Sequence, residues 1–336
     1  MKNTCPNCAD DHSKKLFSSY DRLRNIPTSF HGIYKCDVCK LVFVSPQAKK
    51  EDYENYYDSS YVSHYAIPKV AKPVSKRSKK MGEFRAMVWQ YVYGVPLGLT
   101  VKISWLKMFF LQIFKRSKYF RIRPINFKNS GIRVLDVGSG SGSYIWTLKN
   151  LGWKVSGLEA SDSMVKQSNA NSLDVYCGFS IAEYWNTPSF DFITLNQVFE
   201  HVDDSKKMLN EIHQSLFENG VLIMNLPNVE SVPMHIFKSF WYGLDSPRHN
   251  VLYSPRVLKK MLNENGFNVI SMYTASSTSG WSGSIEYLLR DFLHLKISSD
   301  QIRKNKWVNS FFKPIVKLCD LLGIGDNLYV FAKKQS

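Results

Sequence analysis

No apolar h-region follows the first residues, MKNTCPNCADD, so a secretory signal is not expected and the thiols are expected to stay reduced. No internal repeat recurs along the 336 residues, which excludes solenoids and propellers. A clean membrane-spanning run is missing too: the most apolar stretch, Met87 to Phe114, is broken by Pro96, Lys102 and Lys107. Acidic side chains are scarce in one place above all. Residues 69–128 hold one carboxylate, Glu83, against 15 lysines and arginines. Elsewhere the balance is close to even, with 9 basic and 8 acidic residues over 1–68, 11 and 14 over 129–275, and 9 and 5 over 276–336. The formal charge of +16 therefore belongs to one segment, and an anionic partner is expected there.

The length exceeds one ordinary domain, so a core with appendages is expected. The division read from composition is 1–68, a zinc ribbon and aromatic connector; 69–128, a basic, apolar helical segment; and 129–336, the main domain with a helical insertion at about 276–325. In the first part, Cys5-Pro-Asn-Cys8 and Cys36-Asp-Val-Cys39 are two CxxC knuckles. In a reducing compartment four such thiolates select zinc, and four protein ligands leave no open position, so the metal is structural. Strands are predicted at 33–35 and 41–44. The tyrosines at 53, 56, 57, 61 and 65 read as a helix and loop packing the ribbon on the next domain. Over 87–123, aromatic and apolar residues bordered by lysines and arginines suit a cap over a site or the face of an anionic membrane. A nucleic-acid groove is the third reading of the same composition.

From Gly131 the pattern changes. Arg133-Val-Leu-Asp-Val137 is an apolar run of the kind buried on both faces of a parallel sheet, and Gly138-Ser-Gly-Ser-Gly142 follows it. Strand, glycine turn and helix together make a cofactor cradle, because the backbone approaches a ligand where a Cβ would collide. The glycines read GxGxG rather than the dinucleotide GxGxxG, and Glu159 ends the next strand, placed to accept ribose hydroxyls. Strands are predicted to Val137 and at 154–158, 174–177, 190–195, 220–225, 268–273 and 327–332. Helices are predicted at 144–150, 163–170, 203–217 and 256–264. Such alternation implies an α/β, doubly wound, mostly parallel sheet; the fold class expected is Rossmann-like, with an antiparallel terminal strand.

LDVGSGSG, the GLEAS strand end, FDFITLNQVFEHVDD, GVLIMNLPN and LDSPRHNVLYSP, behind a CxxC ribbon, resemble the bacterial zinc-ribbon class I S-adenosylmethionine-dependent methyltransferases. The resemblance covers about 1–68 and 129–275. It implies cofactor contacts from Asp136, Gly138, Ser139, Gly140, Gly142, Glu159, Asn196 and Gln197. The cofactors expected are S-adenosyl-L-methionine and structural zinc on Cys5, Cys8, Cys36 and Cys39.

Methyl transfer from a sulfonium needs proximity and a base for the acceptor proton. His201, beside Glu200, and His249 in Pro-Arg-His-Asn are the candidates, with Arg248 and Trp241 as acceptor-binding residues. The ubiquinone-pathway O-methyltransferases are similar in the loop after the fourth strand, where ExxEH is implicated in metal binding. Gln197 stands where their first Glu would be, which weakens the case for a second metal. O-methylation of a sugar or another small, lipid-linked intermediate is the leading expectation, in the cytoplasm or on the inner face of the membrane. Sugar C-methylation is disfavoured by the roughly 60 residues left for a C-terminal domain. An RNA methyltransferase would use the basic segment, but [DN]PP[YF] is absent, with Leu226-Pro-Asn228 in its place. A membrane-surface scaffold with an inactive fold is the non-enzyme alternative.

Overall fold

The computed structural model describes residues 3–48, 131–297 and 300–335, with short pieces at 86–87, 90–91, 103–105 and 107–109. The tyrosine-rich connector at 53–65 lies outside the described residues, as does all but those pieces of the basic segment at 69–128. Strands β1 (Ser13–Asp21), β2 (Ile26–Cys36) and β3 (Val42–Ser45) pair antiparallel in that order. Two of the three match the predicted ribbon strands. The third, β1, has the sequence SKKLFSSYD, and its serines and lysines supply no apolar alternation to mark it. A fourth strand, β9 (Val251–Leu252), joins from far along the chain, with Val42 opposite Leu252 and Phe43 opposite Val251.

The larger sheet contains β4 (Arg133–Val137), β5 (Lys154–Glu159), β6 (Val175–Cys177), β7 (Phe190–Asn196), β8 (Leu216–Pro227), β10 (Phe267–Thr274) and β11 (Asn327–Lys334). Their order across the sheet is β10-β11-β8-β7-β4-β5-β6. Pairing is parallel from β8 to β6, and β11 runs antiparallel to both of its neighbours. This is the expected Rossmann-like sheet with an antiparallel terminal strand; β11 is last in sequence yet sits inside the sheet. From Ser143 onward the α-helices are α1 (Ser143–Lys149), α2 (Asp162–Ala170), α3 (Ser205–Ser215), α4 (Val232–Phe237), α5 (Pro255–Glu264), α6 (Ser279–Asp291) and α7 (Lys306–Leu321).

Local chemistry sets these boundaries. Ser254 accepts the Val257 N–H at 3.2 Å and Pro255 occupies the first helical turn of α5. Val257, Leu258, Met261 and Leu262 then fall on one buried face. Asp204 caps α3 by accepting the Lys207 N–H at 2.9 Å. That helix ends earlier than its sequence suggests, because Leu216 pairs with Phe190 and begins β8.

Winding reverses between β4 and β7, and ligands in such sheets lie beyond the carboxyl ends of the strands at this point. The ribbon is welded to the domain rather than tethered. Ile33, Val42 and Val44 share an apolar cluster with Trp241 and Leu244, and with Trp281 of α6 and Phe312 and Val316 of α7. Arg22, after β1, pairs with Asp291 of α6 at 2.9 Å. No helix among the described residues is long and apolar enough to cross a membrane.

Candidate active site

The reversal point opens into a cleft of about 1500 Å³, lined by the loops after β4, β5, β7 and β8 and by residues 242–250. Its floor is the glycine turn. Gly138 has φ 68° and Gly140 φ 54°, a conformation that L side chains rarely adopt. A Cβ on Gly138 would lie 2.3 Å from Val198 Cγ2, whereas one on Gly140 would meet nothing within 4 Å. The first glycine therefore lets the loop after β7 close in, and the second leaves backbone bare to the cleft. Gly142 forms the cap of α1.

Glu159, at the end of β5, is nearly buried and organises this floor. Its Oε2 accepts the Gly140 N–H at 2.8 Å and its Oε1 the Ser161 N–H at 2.9 Å. Each oxygen keeps a second acceptor site, and the residue lines the cleft. Asp136, paired with Thr194 across β4 and β7, accepts the Thr194 hydroxyl at 2.6 Å and the Asn196 amide at 3.4 Å. Burial, opposed by those hydrogen bonds, pushes its pKa up to about 7. The Gln197 amide donates to Asn327 Oδ1 at 3.1 Å. Ser139 has its Oγ turned toward Gly157 of β5, so what it offers the cleft is backbone. The floor thus fits an adenosyl cofactor: a carboxylate with spare lone pairs beside a stretch of exposed main chain.

The opposite wall holds His201 and His249, their rings 4.6 Å apart and inclined at 69°. His201 Nδ1 lies 2.8 Å from the Arg248 carbonyl and His249 Nδ1 lies 3.0 Å from the Gly243 carbonyl. A carbonyl oxygen only accepts, so both rings carry their proton on Nδ1 and a lone pair on Nε2. Burial disfavours the imidazolium in both. It takes His201 down to about 3, helped by His249, and lowers His249 despite Asp245 nearby. Behind them lies Glu200, wholly buried, with no side-chain donor on either carboxyl oxygen. Its Oε1 stands 3.9 Å from His249 Nε2. Burial pushes the Glu200 pKa up to about 8.

Two expectations about the acceptor are corrected. Arg248 is buried, and its guanidinium is committed to two carboxylates: Nε donates to Asp245 at 3.0 and 3.1 Å, Nη1 to Asp21 at 2.7 Å, and Nη2 to Asp21 at 2.8 Å and Asp245 at 2.6 Å. It holds the Pro-Arg-His loop against β1 instead of offering itself to an anion. Trp241 is 1% exposed, packs with the ribbon's valines, and does not line the cleft. Asp21 and Asp245 went unread in the sequence. Asp245 stands three residues before the arginine, a local signal that was available, but Asp21 lies 227 residues away and gives none.

At the far end of the ribbon the two knuckles match each other. Ala9 and Lys40, following each CxxC, take φ 58° and 65° and donate N–H bonds back to the Cys5 and Cys36 carbonyls at 2.9 and 3.1 Å. The four sulfurs lie within 4.8 Å of one another, with Cys5–Cys39 at 3.5 Å and Cys8–Cys36 at 3.6 Å. A tetrahedral ion with Zn–S bonds of about 2.3 Å would hold them roughly 3.8 Å apart, so the donor set fits.

The family model described as a methyltransferase domain matches residues 111–272. An uncharacterized methyltransferase of Staphylococcus carnosus is 26% identical over 178 residues, covering 52% of this chain and 74% of that protein. A ubiquinone biosynthesis O-methyltransferase of Glaesserella parasuis is 22% identical over 203 residues, covering 56% and 79%. Among solved structures, a SAM-dependent methyltransferase from Archaeoglobus fulgidus is similar over 61% of this chain and 87% of that one, at 21% identity and a TM-score of 0.43.

Proposed function

We infer that this chain, an S-adenosylmethionine-dependent methyltransferase of the class I fold, methylates a hydroxyl oxygen of a small, lipid-linked biosynthetic intermediate such as a sugar. The observation that carries the reading is the cleft itself. It runs from the exposed main chain at Gly140 and the Glu159 carboxylate to two imidazoles held neutral, and the proposed acceptor would lie between these ends. Glu159 takes the ribose hydroxyls, the Gly138–Gly142 turn and Asp136 take the amino-acid end, and Asn196, bonded to Asp136, and Gln197 stand on that same side, away from the ribose. The cluster at Glu200, His201 and His249 activates the acceptor. In the transfer, a lone pair of the acceptor oxygen would attack the methyl carbon as the carbon–sulfur bond breaks, and the hydroxyl proton would pass to the Nε2 lone pair of His249. Sulfur keeps the electron pair of the broken bond and leaves as a neutral thioether. Four thiolates hold a structural zinc that fixes the ribbon's end.

The assay is transfer of labelled methyl from S-adenosylmethionine to fractionated extract. Label is expected in the lipid-linked glycan fraction. Label in RNA instead would favour the reading in which the basic segment binds phosphates, and a chain that binds no S-adenosylmethionine would be a scaffold.

The lipid-linked part of the proposal is supported by α7. Trp307, Phe311, Leu318, Leu321 and Leu322 form one outward apolar stripe, with Trp307 86% and Phe311 68% exposed. Lys306, Lys313 and Lys317 border it on one side, also exposed. Such a helix lies in an anionic interface, each lysine contributing about 1 kcal/mol and each large apolar side chain about 1.5–3 kcal/mol. Flotation with phosphatidylglycerol vesicles should fall at least tenfold in the Trp307→Asp, Phe311→Asp double variant, since about 3 kcal/mol or more of apolar transfer is lost. Unchanged flotation would remove α7 from the membrane contact.

A further inference from the structure

We propose that Arg303 and Tyr242 form an anion-binding subsite at the acceptor end of the cleft, so that the molecule methylated carries a phosphate or carboxylate group besides the hydroxyl it offers. This rests on the methyl-transfer reading and narrows the class of acceptor.

Arg248 and Arg303 both line the cleft, and they differ in what their guanidiniums have left to give. Arg248 has a side chain 0% exposed and spends Nε and both Nη groups on Asp21 and Asp245. Arg303 keeps 25% of its side chain exposed and meets one carboxylate, with Nε donating to Asp300 at 2.7 Å and Nη2 donating to the same oxygen. Its Nη1 has no partner among the described residues, which leaves two N–H groups for a ligand. Asp300 also takes the Lys304 ammonium at 2.7 Å, so its charge is shared between two cations.

The turn that brings Arg303 to the cleft is held from inside. Glu286 of α6, 3% exposed, accepts the N–H groups of Asp300 and Ile302 at 2.8 and 2.9 Å and that of Arg303 itself at 3.0 Å. Three main-chain donors on one buried carboxylate fix the turn before any ligand arrives, which lowers the ordering cost of binding.

Tyr242 is the platform under the guanidinium. Its ring centroid lies 5.3 Å from the Arg303 guanidinium carbon, within reach of a cation–π contact. The ring rests on Gly283 of α6, where a Cβ would come within 2.6 Å of it. Tyr242 donates its main-chain N–H to Ser284 at 2.9 Å, while its hydroxyl meets no partner among the described residues. Burial raises the pKa of that hydroxyl, with Arg303 opposing the rise, so it stays protonated and able to donate. The tyrosine stands one residue before Gly243, whose carbonyl orients His249. The imidazole that takes the proton and the ring that carries the cation are thus mounted on one short loop. A guanidinium edge matches two oxygens of a phosphate or carboxylate, and such charge-assisted pairs are roughly twice as strong as neutral ones.

Pyrophosphate and malonate are the probes for the two kinds of anion. Calorimetric titration uses the full chain saturated with S-adenosylhomocysteine, at about 0.15 M salt, where loose contacts with exposed lysines are screened. At least one of the two anions should bind at one per chain, and the tighter of them names the group. Arg303→Met should weaken that binding by about tenfold or more, the loss of a charge-assisted hydrogen bond, while the Kd for S-adenosylhomocysteine stays within about twofold. Lys304 still answers Asp300 in this variant; should it fail to fold, Arg303→Gln is read in its place. The product labelled in the transfer assay should be retained by an anion exchanger. Neither anion bound by the wild type, a variant that binds as tightly, or an uncharged product would each overturn the proposal. An anion bound through Arg303 by a chain that binds no S-adenosylmethionine would instead sink the methyl-transfer reading and leave the anion site standing.

Discussion

Replacing Arg248 by methionine should destabilise the protein by about 3–5 kcal/mol, the cost of leaving a buried ion pair without one partner. The guanidinium closes five hydrogen bonds onto two carboxylates in a buried place. Asp21 is 2% exposed, and without the arginine its charge faces that of Asp245 across the vacated space. Urea denaturation read by tryptophan fluorescence measures the loss, and a change below about 1 kcal/mol would show the pair to be dispensable. Adding Asp21→Asn to the arginine variant should recover part of it, since one uncompensated charge is then removed. The pair also sets a pH dependence. Burial alone would raise the Asp245 pKa, but the adjacent Arg248 outweighs it and holds the carboxyl well below the ordinary range. A depressed carboxylate stabilises the fold above its unfolded pKa, and that contribution is lost as pH falls through the folded value. Acid unfolding of the wild type should therefore steepen below about pH 4, the unfolded reference, and the Asp245→Asn chain should lack that component.

The second large effect belongs to Glu159. Its alanine variant should bind S-adenosylmethionine at least 100-fold more weakly, because two hydrogen bonds to a carboxylate contribute about 1.5–3 kcal/mol each. The same change releases the Gly140 and Ser161 amides, so the turn loses its organiser as well as the proposed ribose contact. Glu159→Gln separates the two losses: a neutral amide still offers one acceptor oxygen but turns its NH₂ toward one of those amides. Calorimetry on folded variants decides, and a Kd within threefold of wild type would place the ribose elsewhere.

Much of the fold could be read because its cues are local. The apolar run at 133–137, the glycines at 138, 140 and 142, and the caps at Asp204 and Ser254 lie within a few residues of what they determine. The parallel part of the sheet followed from the alternation of strands with helices, whereas the order of its strands is shown only by the fold. What escaped was held by distance in sequence. β1 has no apolar face of its own and forms because β2 offers an edge; β9 is two residues long and exists only as a partner of β3. In the site, Glu159 and the histidines stood at strand ends where function is expected. Arg248 and Trp241 looked equally available, yet one is consumed by a carboxylate from the ribbon and the other by the ribbon's own apolar residues. Composition marks a side chain as capable of a contact, and only the packing decides whether it is already engaged.

The pairing of β3 with β9 has a further consequence for how the chain acquires its shape during synthesis. Both cysteine knuckles are complete within the first 39 residues, so the metal end of the ribbon can close while most of the protein is still unmade. Its fourth strand and the arginine that neutralises Asp21 arrive more than 200 residues later. Until then the ribbon exposes an unpaired edge and an unanswered charge. Long-range closures of this kind come late and slowly, because loop entropy is lost before the contact rewards it. The loop that carries His249 is thus among the last parts to be fixed, and the chain becomes competent for chemistry only once its earliest and later portions have met.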